Sequence, residues 1–328
     1  MPRIVVTNWV HDAVLTRLAA LGEIDANRTR EPWPREEVLR RARDADAVLA
    51  FMSDIVDRKF LAACPRLKVV ACALKGFDNF DVEACAEAGV WITIVPDLLT
   101  EPTAELAVGL VIGLARNIRD GDALVRSGGF DGWRPVLYGT GLDGSTVAIV
   151  GMGKVGSAVA QRLAGFGCGL IGVDPQLGWP AGVNPAELRE ALPVADYVIA
   201  AAPLTQQTHR LIGRPELAAM KPGALLINIG RGSVVDESAV ADALEAGRLG
   251  GYAADVFAME DWALPDRPRE IDPRLLAHPR TLFTPHLGSA VARVRLAIEM
   301  RAADSIADAL EGRPPRDAIN APRRMETV

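Results

Sequence analysis

Glu260, His286 and Arg231 each fall just past an apolar run, where together they can do acid–base chemistry on an anion. Glu260 lies in "FAMEDW" after "GGYAADVF", and His286 lies in "FTPHLGSA" after "TLFTP". A carboxylate beside an imidazole orients the ring and favours its protonated form, so the pair can work as a general base. Arg231 follows "LLINIG" and precedes Gly232 and Ser233. A guanidinium there either clamps an oxyanion with two N–H bonds or is a loop arginine paired with a neighbouring carboxylate. Lys75 ends "VACALK" beside Gly76. Lysine is costly to desolvate, so at the end of a buried strand it is either a solvated loop residue or a cation held for an anion. His11, His209 and His278 lack comparable settings.

The segment "VAIVGMGKVGSAVAQRLAGFGCGLIGVD" carries a second chemistry. Gly151, Gly153 and Gly156 form G-x-G-x-x-G between a strand pattern and a helix pattern. In that context Gly151 allows a tight turn, Gly153 admits a pyrophosphate to the backbone, and Gly156 lets helix and strand pack closely. The helix N-terminus supplies N–H groups and partial positive charge. Asp174 ends the next strand pattern, where its carboxylate accepts from ribose hydroxyls and repels a 2′-phosphate, so NAD is favoured over NADP.

These groups must be carried by strand ends. Strand patterns fall at 3–7, 47–52, 67–74 and 91–96, and a second series at 146–151, 169–174, 196–203, 224–230, 250–257 and 281–286. Helical spacing appears at 35–45 and 81–89, in one long segment from Glu101 to about Arg126, and from Ser289 to Gly312. Continuous apolar strands alternating with helices imply parallel sheets covered on both faces. The fold class is therefore α/β: two doubly wound domains, Rossmann-like or flavodoxin-like, with parallel sheets. The last helix can return to the first unit, giving one domain of 1–99 plus 290–328 and another of 100–289. Residues 127–144 read as an irregular Gly-rich loop, 203–213 as a loop leading into a helix, and 313–328 as a loosely ordered Pro-rich tail. Trp133, Tyr138 and Trp262 line a substrate site or a subunit contact, or pack within their loops.

A net charge of −6 over 328 residues gives no basic face for nucleic acid. The 4 cysteines form no C-x-x-C and no metal-ligand spacing, so no metal is expected and a reduced, cytoplasmic setting is. The start "MPRIVVTNWV" reads as a strand and lacks signal-peptide regions, and the apolar helical run 103–115 is too short to span a bilayer.

Gly151, Gly153, Gly156, Asp174, Arg231, Glu260 and His286 in this order, with "PLTQQTHRLI", "INIGRGSVVDE" and "TPHLGS", resemble the D-2-hydroxyacid dehydrogenase family over nearly the whole chain. The resemblance implies NAD, a discontinuous substrate domain, a catalytic Arg231–Glu260–His286 set, and a homodimer built around 101–145. It extends the cofactor site to Thr103, Lys154, Val155, Pro203, Thr208, Ile229, Asp255 and Gly288, with Lys75, Arg231 and His286 also facing the cofactor. Within the family, "ALKGFDNFDVEAC", "FDGWRPVLYGTGL" and "FAMEDWALPDRPREIDP" look like the phosphite-oxidising (phosphonate dehydrogenase) branch. That likeness implies phosphite as substrate, Lys75 as an anion contact, and a pocket of Met52, Lys75, Gly76, Arg231, His286, Ser289 and Arg295, with Trp133 and Tyr138 nearby. The chain departs from that branch at Ile229-Gly230, where Pro-Cys is expected, and in a shorter segment after Asp174. Phosphite is small and mostly dianionic, so its affinity must come from charge. Cationic partners supply about 1.5–3 kcal/mol per charge-assisted bond. An ordinary 2-hydroxyacid dehydrogenase is the alternative.

Overall fold

A computed structural model describes residues 1–175 and 178–323. The chain divides into two compact units, one of residues 1–99, 262–265 and 290–328, the other of 100–261 and 266–289. Both are built from short strands buried on both faces. "AVLA", "VVAC", "YVIA", "LLIN" and "GYAA" are buried at every position, which only helices on both sides of a sheet can achieve.

In the first unit the strands are β1 (Arg3–Val6), β2 (Glu23–Ala26), β3 (Ala47–Ala50), β4 (Val69–Cys72) and β5 (Trp91–Thr93). They form one parallel sheet in the order β2-β1-β3-β4-β5, the flavodoxin-like winding. The helices are α1 (Asp12–Ala19), α2 (Arg35–Ala42), α3 (Arg58–Ala63) and α4 (Val82–Glu87), joined by the chain's last helix, α12 (Ala292–Leu310). Ile298, Ala302 and Ile306 of α12 pack into the same core as Ile4, Leu49 and Val69. Asp57 and Asp81 cap α3 and α4 by accepting from the amides of Phe60 and Ala84.

The second unit begins with α5 (Thr100–Ala115) and α6 (Ile118–Arg126). Its sheet contains β6 (Thr146–Val150), β7 (Gly169–Val173), β8 (Val183–Pro185), β9 (Tyr197–Ala200), β10 (Leu225–Asn228), β11 (Gly251–Ala254) and β12 (Thr281–Phe283), with α7 (Lys154–Leu163), α8 (Leu188–Ala191), α9 (Arg214–Ala219), α10 (Glu237–Glu245) and α11 (Pro273–Ala277) between strands. The order β12-β11-β10-β9-β6-β7-β8 reverses direction at β6, so the switch point lies beside the Gly151 loop. Ligands of such sheets bind there, outside the carboxyl ends of the strands.

Three sequence expectations change. The segment from Glu101 to Arg126 is two helices, because Asn117 adopts a left-handed φ of 51°. Edge strands β2, "EIDA", and β8, "VNP", escape a search for apolar runs because an edge strand need not be buried. The Pro-rich tail is anchored: Asn320 donates to Val90 O and accepts from the Ile92 amide, and Arg301 holds Asp317 at 2.5 Å. Residues 324–328, and Gln176 and Leu177 of the segment after Asp174, lie outside the described residues.

Candidate active site

The dinucleotide fingerprint folds as a cradle. Gly151 sits at φ 98°, and a side chain there would run into the backbone of Ala202 at 2.6 Å. A Cβ on Gly156 would lie 2.0 Å from Gly151 O, so α7 packs directly on the turn. A Cβ on Gly153 would meet nothing within 4 Å, which leaves open space over the first turn of α7, where the N–H groups of a helix have no intrahelical partner. Asp174 just past β7 accepts from the Met152 amide at 2.7 Å and so borders the same loop. Lys154 and Val155 open α7, Pro203 and Thr208 form a turn in which Thr208 Oγ1 donates to Pro203 O at 2.6 Å, and Ile229 is buried at the end of β10. These residues fit a dinucleotide: the pyrophosphate would lie over Gly153, and Asp174 is placed for a ribose.

Glu260 and His286 meet. Glu260 Oε2 lies 2.7 Å from His286 Nδ1, while Oε1 accepts from the Phe257 amide at 2.9 Å. An ionised carboxylate only accepts, so toward it Nδ1 is the donor, and in a neutral ring Nε2 would then keep its lone pair. The pair is about a quarter to a third exposed, with side chains at 30% and 28%. His286 is held in a left-handed conformation, φ 56°, which costs on the order of 1 kcal/mol for a residue with a Cβ. Asp255 offsets that cost. Its carboxylate accepts from Thr284 Oγ1 at 2.5 Å, Leu287 N at 2.6 Å and Gly288 N at 2.8 Å, and its carbonyl accepts from His286 N at 2.9 Å. Burial nevertheless pushes the Asp255 carboxyl above its ordinary range. Thr103 of α5 lies against Gly288, where an added Cβ would come within 3.0 Å of its hydroxyl.

Arg231 occupies the turn after β10. Its carbonyl accepts from Asn228 Nδ2 at 2.9 Å, and its guanidinium donates to Gly230 O at 3.0 Å. Gly232 presses on the Glu260 turn so closely that a Cβ would fall 1.8 Å from Phe257 C. Arg231 and Glu260 are therefore carried by two turns in backbone contact. Ser289 follows Gly288, half-buried, while Trp133 and Tyr138 stand 83% and 76% exposed between α6 and β6.

The first unit gathers cations at the end of β4. Lys75 and Gly76 follow it, both half-buried. Arg295, on the first turn of α12, donates to Ala73 O at 3.2 Å and lies 3.5 Å from Glu299. Burial pulls its guanidinium below the ordinary arginine range, the nearby Glu299 opposing this. Met52 belongs to the loop after β3, which Asn79 fixes by donating to Met52 O at 2.7 Å and Asp54 O at 3.0 Å. Sequence reading missed Asn228, Glu237, Asp54 and Asn79. Glu237 and Asn79 bond backbone groups 21 and 27 residues away, Asn228 bonds the Arg231 carbonyl and Asp54 takes Thr7 Oγ1 besides the Phe51 amide, and nothing in the sequence pattern marks these bonds.

A doubly wound unit with a glycine cradle at its switch point and a His–Glu pair beyond the ends of β12 and β11 fits an NAD-linked oxidoreductase. Residues 108–288 match the family model described as "D-isomer specific 2-hydroxyacid dehydrogenase, NAD binding domain". A glyoxylate reductase of Thermococcus litoralis is 32% identical over 97% of this chain and 97% of its own length, and one of Aeropyrum pernix is 34% identical over 97% and 96%. The crystal structure of the TT0316 protein from Thermus thermophilus matches with a TM-score of 0.90 at 36% identity, covering 97% of this chain and 99% of that one. A glyoxylate reductase structure from Paecilomyes thermophila matches with a TM-score of 0.84 at 26% identity, covering 97% and 98%. The chain belongs to the D-isomer specific 2-hydroxyacid dehydrogenase family, and NAD is the cofactor its second unit binds.

Proposed function

We propose that this dehydrogenase oxidises phosphite to phosphate. The observation that carries the reading is the pair of cations at one strand end of the first unit. Lys75 follows β4, and the largely buried Arg295 bonds Ala73 O, two residues earlier. A monoanionic hydroxy acid with an apolar group needs fewer cations than a bare dianion, whose binding rests on charge-assisted bonds. Glu299 offsets part of the Arg295 charge.

In this reading Arg231 and Lys75 have the anion-binding roles that the resemblance implies, and Met52, Gly76, Arg295 and Ser289 the substrate-contact roles that it implies. His286 Nε2 takes a proton from water as the water oxygen bonds to phosphorus, and Glu260 holds the imidazolium that results. NAD supplies the hydride acceptor. The balance is phosphite, NAD and water giving phosphate, NADH and a proton. Gly151, Gly153, Lys154, Val155, Gly156, Asp174, Pro203, Thr208, Ile229, Asp255, Thr103 and Gly288 hold the cofactor.

The second reading is a 2-hydroxyacid dehydrogenase acting on glyoxylate, in which Arg231 holds the carboxylate and His286 exchanges the hydroxyl proton. It has the wider support among relatives, because the two proteins matched over 97% of this chain at 32% and 34% identity are both named glyoxylate reductase. Purified protein separates the readings. NADH should form from NAD and phosphite, and Lys75→Ala should raise the KM for phosphite at least tenfold, the loss of about one charge-assisted bond. Turnover of glyoxylate without turnover of phosphite would establish the second reading.

The segment 101–145 is assigned to a homodimer contact. Phe130, Trp133, Val136 and Tyr138 leave half or more of their surface exposed there, at 55%, 83%, 50% and 76%. A cytoplasmic setting suits its 4 free thiols. Among the described residues no helix is long and apolar enough to cross a membrane.

A further inference from the structure

Glu237 and Asp261 are buried carboxylates that the chemistry above does not use. They are 7% and 1% exposed, and each accepts from an amide far along the chain. Glu237 is the first residue of α10, reached from the Arg231 turn through Val234, Val235 and the cap Asp236. Its Oε1 crosses to the Glu260 turn and accepts from Ala258 N at 2.7 Å. Asp261 immediately follows Glu260, and its Oδ2 crosses the other way, accepting from Ser233 N in the Arg231 turn at 2.7 Å. Between the two bonds the backbones touch, because Gly232 leaves no room for a Cβ against Phe257 and Ala258.

We propose that Glu237 and Asp261 are positioning residues, a reciprocal clasp that fixes the Arg231 turn against the Glu260 turn. Each turn supplies one acceptor and one donor to the other, so neither can shift without breaking both bonds. The next link is direct. The turn held by Glu237 presents Phe257 N to Glu260 Oε1, and Glu260 Oε2 holds His286. The clasp thereby sets the anion-holding arginine and the base in one frame. Burying carboxylates works against stability, and burial raises the Glu237 carboxyl to about 7, with Asp261, Glu260 and Asp272 adding to the effect. Burial at that cost fits a group retained for placement.

The proposal rests on the roles given to Arg231, Glu260 and His286, and its test separates the two. The whole protein is prepared as Asp261→Ala, Glu237→Ala, the double variant, and the conservative Asp261→Asn and Glu237→Gln, which keep an acceptor oxygen. Amide exchange is read across the clasp, at Ala258 in Asp261→Ala and at Ser233 in Glu237→Ala. Each should exchange on the order of tenfold faster than in the wild type, although its own acceptor is intact. With phosphite or glyoxylate as substrate, kcat should fall on the order of 100-fold, as for an ångström-scale misplacement. NADH affinity should hold, and the Asn and Gln variants should recover most of kcat. The double variant should be no worse than the poorer single one, because the clasp acts as a unit. Unchanged exchange across the clasp, multiplicative losses in the double variant, or unchanged kcat would each overturn the proposal. If the wild type turns over neither substrate, the exchange measurement still decides the clasp, while the functional reading alone fails.

Discussion

Replacing Asp54 with asparagine should change how stability depends on pH, and the size of the change follows from the geometry. Asp54 is 7% exposed in the loop after β3, and its Oδ2 accepts from both Thr7 Oγ1 at 2.5 Å and Phe51 N at 2.7 Å. Burial outweighs those two bonds and raises the carboxyl from 3.8 to about 6. The folded protein thus holds this proton more tightly than the unfolded chain. Below pH 3.8 both states are protonated and the group contributes nothing. As pH rises from there to about 6, the unfolded chain ionises first, so stability falls, and above about 6 the full cost remains. The gap between the two values corresponds to about 3 kcal/mol. Asparagine cannot titrate, and its amide oxygen can take the Oδ2 position and keep both bonds. The amide nitrogen it introduces costs about 1–3 kcal/mol if unpaired, but equally at every pH. The stability difference between variant and wild type should therefore move toward the variant by about 3 kcal/mol from about pH 3 to about pH 7. Urea melts of both proteins across that range, followed by circular dichroism, measure the slope free of the constant offset. A difference that stays flat would mean that Asp54 is charged in the folded protein at all these pH values, and the burial argument would be wrong.

Glu260→Gln keeps an acceptor for Phe257 N but removes the charge facing His286 Nδ1 at 2.7 Å. Steady-state assays should show kcat reduced about 10²–10⁴-fold with NADH affinity, read by fluorescence, unchanged. Asp174→Ala removes the carboxylate at the Gly151 loop. NAD should bind at least tenfold more weakly while NADP loses less, and calorimetry with both nucleotides checks the ratio.

The parts of this fold that sequence reveals are those where one physical demand acts on neighbouring residues. Continuous apolar runs mark β3, β4, β9 and β10 because both faces of each strand are covered. The glycine cradle is readable because each glycine answers a local steric demand, as the crowding at Gly151 and Gly156 bears out. What was missed depends on partners far along the chain. The break at Asn117 is secured by Arg119 donating to Pro279 O at 2.5 Å and Thr281 O at 2.6 Å. The tail is held through Asp317 and Asn320, and Asn79 fixes the Met52 loop from 27 residues along the chain. No periodicity encodes such pairs. Glu260 and His286 could be proposed as partners only because both follow strands, and strand ends converge.

The same division separates the reaction from its substrate. In the proposed reading hydride chemistry uses the cradle, His286 as base and the arginine turn, and all of them are set by backbone demands in the second unit: a left-handed histidine tied to Asp255, an arginine turn with no space for a Cβ at Gly232, and a helix start open over Gly153. Such demands tolerate few residue types, so relatives that share about a third of their residues can share this frame. In the proposed reading, substrate choice falls to side chains that meet no comparable backbone demand, among them Lys75 and Arg295 at the end of β4. A single exchange there can replace a monoanion with a dianion at a cost of one or two charge-assisted bonds, about 1.5–3 kcal/mol each, while the fold is untouched. On the proposed reading a lysine at position 75 would bear on substrate identity, which the Lys75→Ala kinetics test, while likeness bears on the reaction.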